Sequence, residues 1–144
     1  MLDTNVLIHD PHCMNRFGDN HVCIPFDVLS ELDRFKNEQS DRGASARTVH
    51  RLLTELFEEH SEDITCGVPN EEGGTIRLVA IDLESSTIDQ SNLSRVRRIL
   101  NDVEKVDHRI IACAVMVADA NNGNAVLVTK DLNMQLKALS LIHI

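Results

Sequence analysis

Apolar and polar positions fall in blocks along this chain, and the spacing changes from block to block. An apolar run at the start, Leu2–Ile8, predicts a buried strand with Asp10–Pro11 as its exit turn. His21–Pro25 predicts a second short strand, closed by Pro25. Val28, Leu32 and Phe35 recur at helical spacing and predict a helix over Phe26–Lys36. A polar break, Asn37–Gly43, separates it from a longer helix over Ala44–His60, with Val49, Leu52, Leu53, Leu56 and Phe57 as its apolar positions. Ile64–Gly74 is rich in turn formers, Thr75–Leu83 alternates like a strand, and Glu84–Leu93 is polar enough to be a loop. The remainder predicts helices over Leu93–Val106 and Asp107–Asp119, a strand over Ala125–Thr129, and a short helix over Asp131–Leu139. Continuous apolar strands alternating with helices predict an α/β domain whose helices cover both faces of a parallel sheet.

Four acids interrupt this pattern. Asp3 lies inside the first apolar run, Glu31 within Val28–Leu32, Asp107 at the head of a strong helix, and Asp131 directly after Val126–Thr129. None belongs to a charge run, and a carboxylate in such a place is costly unless paired, hydrogen-bonded or holding a cation. If Leu2–Ile8 is a strand, Asp3 and Asn5 share a face and Thr4 points away. On its helix Glu31 lies roughly 70° from the centre of the apolar stripe, whereas Asp33 and Arg34 oppose it. Asp107 lines up with Ile110, Ile111, Ala114 and Ala118. Asp131 sits where a strand gives way to a helix, the edge at which open α/β sheets bind ligands. Each acid has a plain alternative: a turn or helix cap for Asp3, Asp107 and Asp131, a boundary residue for Glu31. Four such coincidences together point instead to one oxygen-rich cation site and to hydrolysis of a phosphate ester.

Composition narrows the reading. A chain of 144 residues is one domain by length, and 42% hydrophobic residues suffice for a core. With four Phe and neither Trp nor Tyr, base-stacking side chains are scarce. A net charge of −9 argues against broad coating of nucleic acid, although a bound metal reverses the sign locally. Two loose basic groups stand out: Arg34, Lys36, Arg42, Arg47 and Arg51, then Arg95, Arg97 and Arg98. Either is a solvated helix face or a set of phosphate contacts. Cys13, Cys23, Cys66 and Cys113 form no CxxC pair, which favours free thiols and a cytoplasmic location. No apolar run reaches membrane-spanning length, no signal peptide precedes Asp3, and no P-loop or nucleophile elbow is present.

The segments LDTNVLIHDP, IPFDVLSELDRFK, DHRIIACA and LVTKDLNMQLKA, in this order, resemble the PIN domain, a nuclease family. SELDRFK, DRGASARTVHRLL and GVPNEEGGTIRL add a narrower likeness to the PIN module that precedes a PhoH-like ATPase domain in bacterial proteins. The resemblance covers residues 1–139. Residues 140–144 do not share it and are expected to be a tail, with a cloning or sequencing artefact as one source. It implies a three-layer α/β/α sandwich around a central parallel sheet. It also implies that Asp3, Glu31, Asp107 and Asp131 hold Mg²⁺ or Mn²⁺, with Asn5 and Thr129 beside them.

The expected function is therefore metal-dependent endoribonuclease cleavage of single-stranded RNA. Arg34, Lys36 and Lys130 are the expected RNA contacts. A PhoH-like ATPase domain is the expected partner, no membrane is involved, and a homo-oligomer is compatible with the sequence. The alternative is a non-catalytic PIN-like module that binds RNA or protein.

Overall fold

The computed structural model describes residues 1–60, 64–81, 90–99 and 104–142. Among them run α1 (Thr4–His9), β1 (His21–Pro25), α2 (Phe26–Phe35), α3 (Asp41–Glu58), β2 (Val68–Pro69), β3 (Thr75–Val79), α4 (Gln90–Ile99), α5 (Val106–Ala120) and α6 (Leu132–Ile142). A 3-10 turn, Cys13–Asn15, follows α1.

The sheet is mixed, which corrects the expectation of a wholly parallel one. β1 and β3 pair in parallel, with His21 opposite Thr75 and Pro25 opposite Val79, but β2 pairs antiparallel to β3. The expected strand over Leu2–Ile8 is also corrected. Leu2 alone makes a parallel bridge, to Val128, and its amide donates to the Cys23 carbonyl on the other side. From Thr4 the chain is helical, because Asp3 caps it: the Asp3 carboxylate accepts from the Thr4 amide at 2.7 Å, and the Asp3 carbonyl accepts from Val6 and Leu7. A short apolar run fits a strand and a buried helix equally well, and here the cap decides. The expected strand over Ala125–Thr129 is represented among paired residues by the Val128 bridge alone.

Other boundaries move for local reasons. α3 starts three residues before the expected Ala44 because Ser40 accepts from the Gly43 amide. β3 stops at Val79, short of Leu83. Gln90–Ile99 is helical, so the expected loop Glu84–Leu93 is corrected over 90–93, and its remainder lies outside the described residues, as do 100–103 of the expected helix Leu93–Val106. α6 continues past Leu139 through residue 142 and buries Leu141. Residues 143 and 144 lie outside the described set.

The core joins the layers. Leu7, Ile24, Val28, Val49, Ile76, Ile110 and Met134, drawn from α1, β1, α2, α3, β3, α5 and α6, are all fully or nearly fully buried. At the α2–α3 corner a Cβ on Gly43 would lie 2.0 Å from the Glu38 carbonyl oxygen, so only glycine lets α3 start so close to the end of α2. Arg47 then donates to the carbonyls of Lys36 (2.7 Å) and Glu38 (3.1 Å). This corner holds α2 in place, and α2 carries Glu31. Among the described residues no helix is long and apolar enough to cross a membrane.

Candidate functional site

Asp3, Glu31, Asp107 and Asp131 come from four separate elements. Asp3 follows the Leu2 bridge, Glu31 lies on the helix that directly follows β1, Asp107 opens α5, and Asp131 follows Val128–Thr129 into α6. All four therefore belong to the carboxyl end of the sheet. Asp3 is only 2% exposed, a burial that an ionised carboxylate tolerates only with partners. Its partners are the Thr4 amide on one oxygen and Thr129 Oγ1, at 2.6 Å, on the other. Thr129 Oγ1 in turn accepts from the Asp131 amide at 3.0 Å, so one hydroxyl joins Asp3 to the start of α6. Thr4 Oγ1 donates to Glu31 Oε2 at 2.5 Å. Asp131 Oδ1 caps α6 through the amides of Asn133 and Met134.

Burial pushes the Asp3 carboxyl above its ordinary range. The charges of Asp107 and Asp131 add to this, while the bonds from Thr129 and the Thr4 amide oppose it. Burial likewise raises Glu31; Asp3 and Asp107 add to it, while Thr4 and the positive charge of Arg34 oppose it. The four acids thus act on one another through space. Among the described residues, however, no three His, Cys, Asp or Glu side chains converge closely enough to share one metal ion.

Several expected neighbours sit differently from the strand reading. Because Thr4–His9 is helical, Thr4 is buried and meets Glu31, while Asn5 is exposed. Periodicity hid Thr4, although an Asp ahead of an apolar run is itself a helix-start signal. Asp107 is not the cap of α5, since Lys105 holds that position. Lys36 is ion-paired with Asp33 beside it, Arg34 is exposed, and Lys130 is exposed next to Asp131. Two contacts escaped sequence reasoning. Arg109 binds Asp27 at 2.6 Å and ties α5 to α2, which sets Asp107 relative to Glu31. Buried His108 meets Lys137 Nζ at 3.0 Å across α5 and α6. Neither pairing has a sequence signal, because its partners are far apart along the chain.

Comparison with known proteins identifies the family. A family model described as PIN domain matches residues 1–142. The chain is 32% identical to protein PhoH2 of Bacillus subtilis over 149 residues, which is 96% of this chain and 30% of that protein. It is 38% identical to protein PhoH2 of Thermobispora bispora over 141 residues, covering 98% of this chain and 29% of that protein. Protein PhoH2 of Mycolicibacterium smegmatis is 34% identical over 139 residues, with 96% and 29% covered. The chain thus spans about 30% of the length of these relatives. No solved structure matches it. With the family model spanning residues 1–142, almost the whole chain, this chain belongs to the PIN domain family.

Proposed function

We propose that this chain is the endoribonuclease domain of a longer PhoH-type protein, hydrolysing phosphodiester bonds of single-stranded RNA on a three-layer α/β/α framework. The observation that supports this reading is the electrostatic coupling of carboxylates from four elements at one sheet edge: Asp3 and Glu31 are raised by burial first, and then by their acidic neighbours, Asp107 and Asp131 for Asp3, Asp3 and Asp107 for Glu31. Such crowding costs stability and brings no packing in return, and perturbed acids of this kind concentrate at functional sites. An all-oxygen, strongly negative donor set fits a hard divalent cation such as Mg²⁺ or Mn²⁺, which Asp3, Glu31, Asp107 and Asp131 would hold. Bound there, the cation would supply a water acidic enough to attack phosphorus and positive charge for the leaving oxygen.

The chain's own residues orient the site. Thr4 and Thr129 each fix one oxygen of a carboxylate, and the Asp3 and Glu31 oxygens, with no more than one donor each, keep a further acceptor position for a ligand. Lys130, exposed beside Asp131, is available to a phosphate. The greater length of the relatives supports a further domain, which we take to be a PhoH-like ATPase. Four free cysteines suit a reducing cytoplasm.

The second reading is a non-catalytic module that binds RNA or protein. It is favoured by the lack, among the described residues, of three acids converging on one point. Incubation with a fluorescent single-stranded RNA separates the two. Cleavage that needs Mn²⁺ and stops with chelator supports the nuclease, whereas intact RNA at saturating Mn²⁺ supports the binding module.

A further inference from the structure

The cations of this acidic chain are used unequally on the two sides of the carboxylate cluster. On the α2–α3 side most are engaged within the protein. Arg42 grips Glu38 with two nitrogens, at 2.9 and 2.6 Å, and lies 4.2 Å over the Phe35 ring. Arg47 is bonded to the carbonyls of Lys36 and Glu38, Lys36 pairs with Asp33, and Arg51 pairs with Glu55 at 3.3 Å. A phosphate could recruit these groups only by breaking bonds they already make.

The other side differs. Arg97 and Arg98 are exposed in the last turn of α4, Lys105 is exposed at the cap of α5 two residues before Asp107, and Lys130 is exposed one residue before Asp131. Among the described residues none of the four takes part in an ion pair. Glu104, the neighbour of Lys105, already has a contact of its own. α4 packs against both α5 and α6. In sequence, the arginine turn of α4 is the end that leads toward α5, whose first turn bears Asp107.

We propose that the phosphates of single-stranded RNA are held on the α4–α5–α6 side of the cluster by Arg97, Arg98, Lys105 and Lys130, and not on the α2–α3 side. This rests on the nuclease reading for its choice of ligand. The physical basis is counterion release: an unpaired surface cation can exchange its counterion for a phosphate, whereas a paired one has a carboxylate to give up first. Guanidinium groups add two-pronged hydrogen bonding to phosphate oxygens. With a net charge of −9, RNA approaches this chain where cations lie unneutralised, and these four on the α4–α5–α6 side stand against Arg34 on α2.

The test is binding of a fluorescent single-stranded RNA to the whole chain in chelator, so that cleavage is not read. The double variant Arg97→Glu/Arg98→Glu is expected to weaken binding at least tenfold and to reduce the salt slope by about 1.4, two phosphates at 0.7 each. Arg16→Glu/Arg51→Glu carries the same change in charge at two ion-paired surface sites and is expected to stay within twofold of wild type. Equal losses in these two doubles overturn the proposal, because the effect is then only overall charge. A larger loss in Arg34→Glu/Lys36→Glu overturns it by placing RNA on the α2 side, and so does a wild-type chain that binds no RNA. Arg97→Gln/Arg98→Gln, with melting curves, serves if charge reversal disturbs folding, and it is expected to reproduce the loss. A chain that binds RNA with this asymmetry but never cuts it sinks the nuclease reading alone.

Discussion

The two ends of the sheet carry opposite kinds of surface. At the amino ends of β1 and β3 a broad cavity of about 1030 Å³ opens among Cys23, His21, Thr75, Arg77, Val117 and Val126. Among the described residues no aspartate or glutamate lines it. Near it, burial pushes the Cys113 thiol up to about 12, with the nearby Cys23 adding to it, and burial lowers the Met1 amine. At the carboxyl end, about 20 Å away along α5, carboxylates from four elements act on one another through space, and two of them, Asp3 and Glu31, are raised, by burial first. The cavity costs only lost packing, but the crowded acids cost desolvation and repulsion. An electrostatic cost that packing does not offset is what distinguishes the proposed site from the cavity.

The strongest way to break this comparison is to neutralise each end in turn. Asp3→Asn keeps an acceptor for the Thr4 amide and a partner for Thr129, so the fold should survive, while Mn²⁺-dependent cleavage of single-stranded RNA falls at least about 100-fold. His21→Ala, at the opposite cavity, should change the same rate by less than about twofold, since it touches no reacting group. A reversed ranking in initial rates would move the site to the cavity.

Within α2 the comparison sharpens to two residues apart. Glu31→Gln should lower cleavage about tenfold or more, whereas Asp33→Asn, exposed and paired with Lys36, should stay near wild type. Matched losses would show that helix phase does not decide the effect.

A cation binding only the folded chain at about 100 times its dissociation constant adds about 2.7 kcal/mol. At roughly 2–4 °C per kcal/mol for a domain of this size, thermal melts should rise by about 5–10 °C with millimolar Mn²⁺. The rise should vanish in Asp3→Asn/Asp107→Asn. A rise that persists there would locate the cation elsewhere on this acidic surface.

The smallest effect is in pH dependence without metal. Asp3 and Glu31 titrate higher in the folded chain than their ordinary values of 3.8 and 4.5. Between those values and the raised ones the folded chain binds more protons, so stability falls as pH rises through that window. Asp33 and Glu38, lowered by Lys36 and Arg42, act with the opposite sign and lose their contribution as pH falls. The melting temperature of Asp3→Asn relative to wild type, measured in chelator, should therefore climb by a degree or so from about pH 4 upward, where an ordinary Asp becomes ionised. A flat difference would mean that Asp3 is not held above its ordinary range.

What the sequence by itself determined is local and periodic. Apolar stripes three and four residues apart specified α2, α3 and α5, and Pro25 ended β1 where expected. The four acids could be picked out because a carboxylate inside an apolar segment is costly wherever the segment goes. The Arg51–Glu55 ion pair is local in the same way, its partners four residues apart on one face of α3. Only the tertiary structure decided the rest. Leu2–Ile8 has too few residues for periodicity to separate strand from helix; the Asp3 cap starts α1, and the bonds of Leu2 and Asp3 to Val128 and Thr129, at the other end of the chain, fix where it sits. That outcome exposed Asn5 and set Thr4 against Glu31. β2 is two residues long, too short to declare its direction. Asp27 finds Arg109 82 residues away, and the pair orders two helices that no spacing rule connects. Hydrophobic periodicity encodes which face of an element is buried; it carries no information about which distant polar group will meet that face, because that partner exists only after the chain has closed on itself.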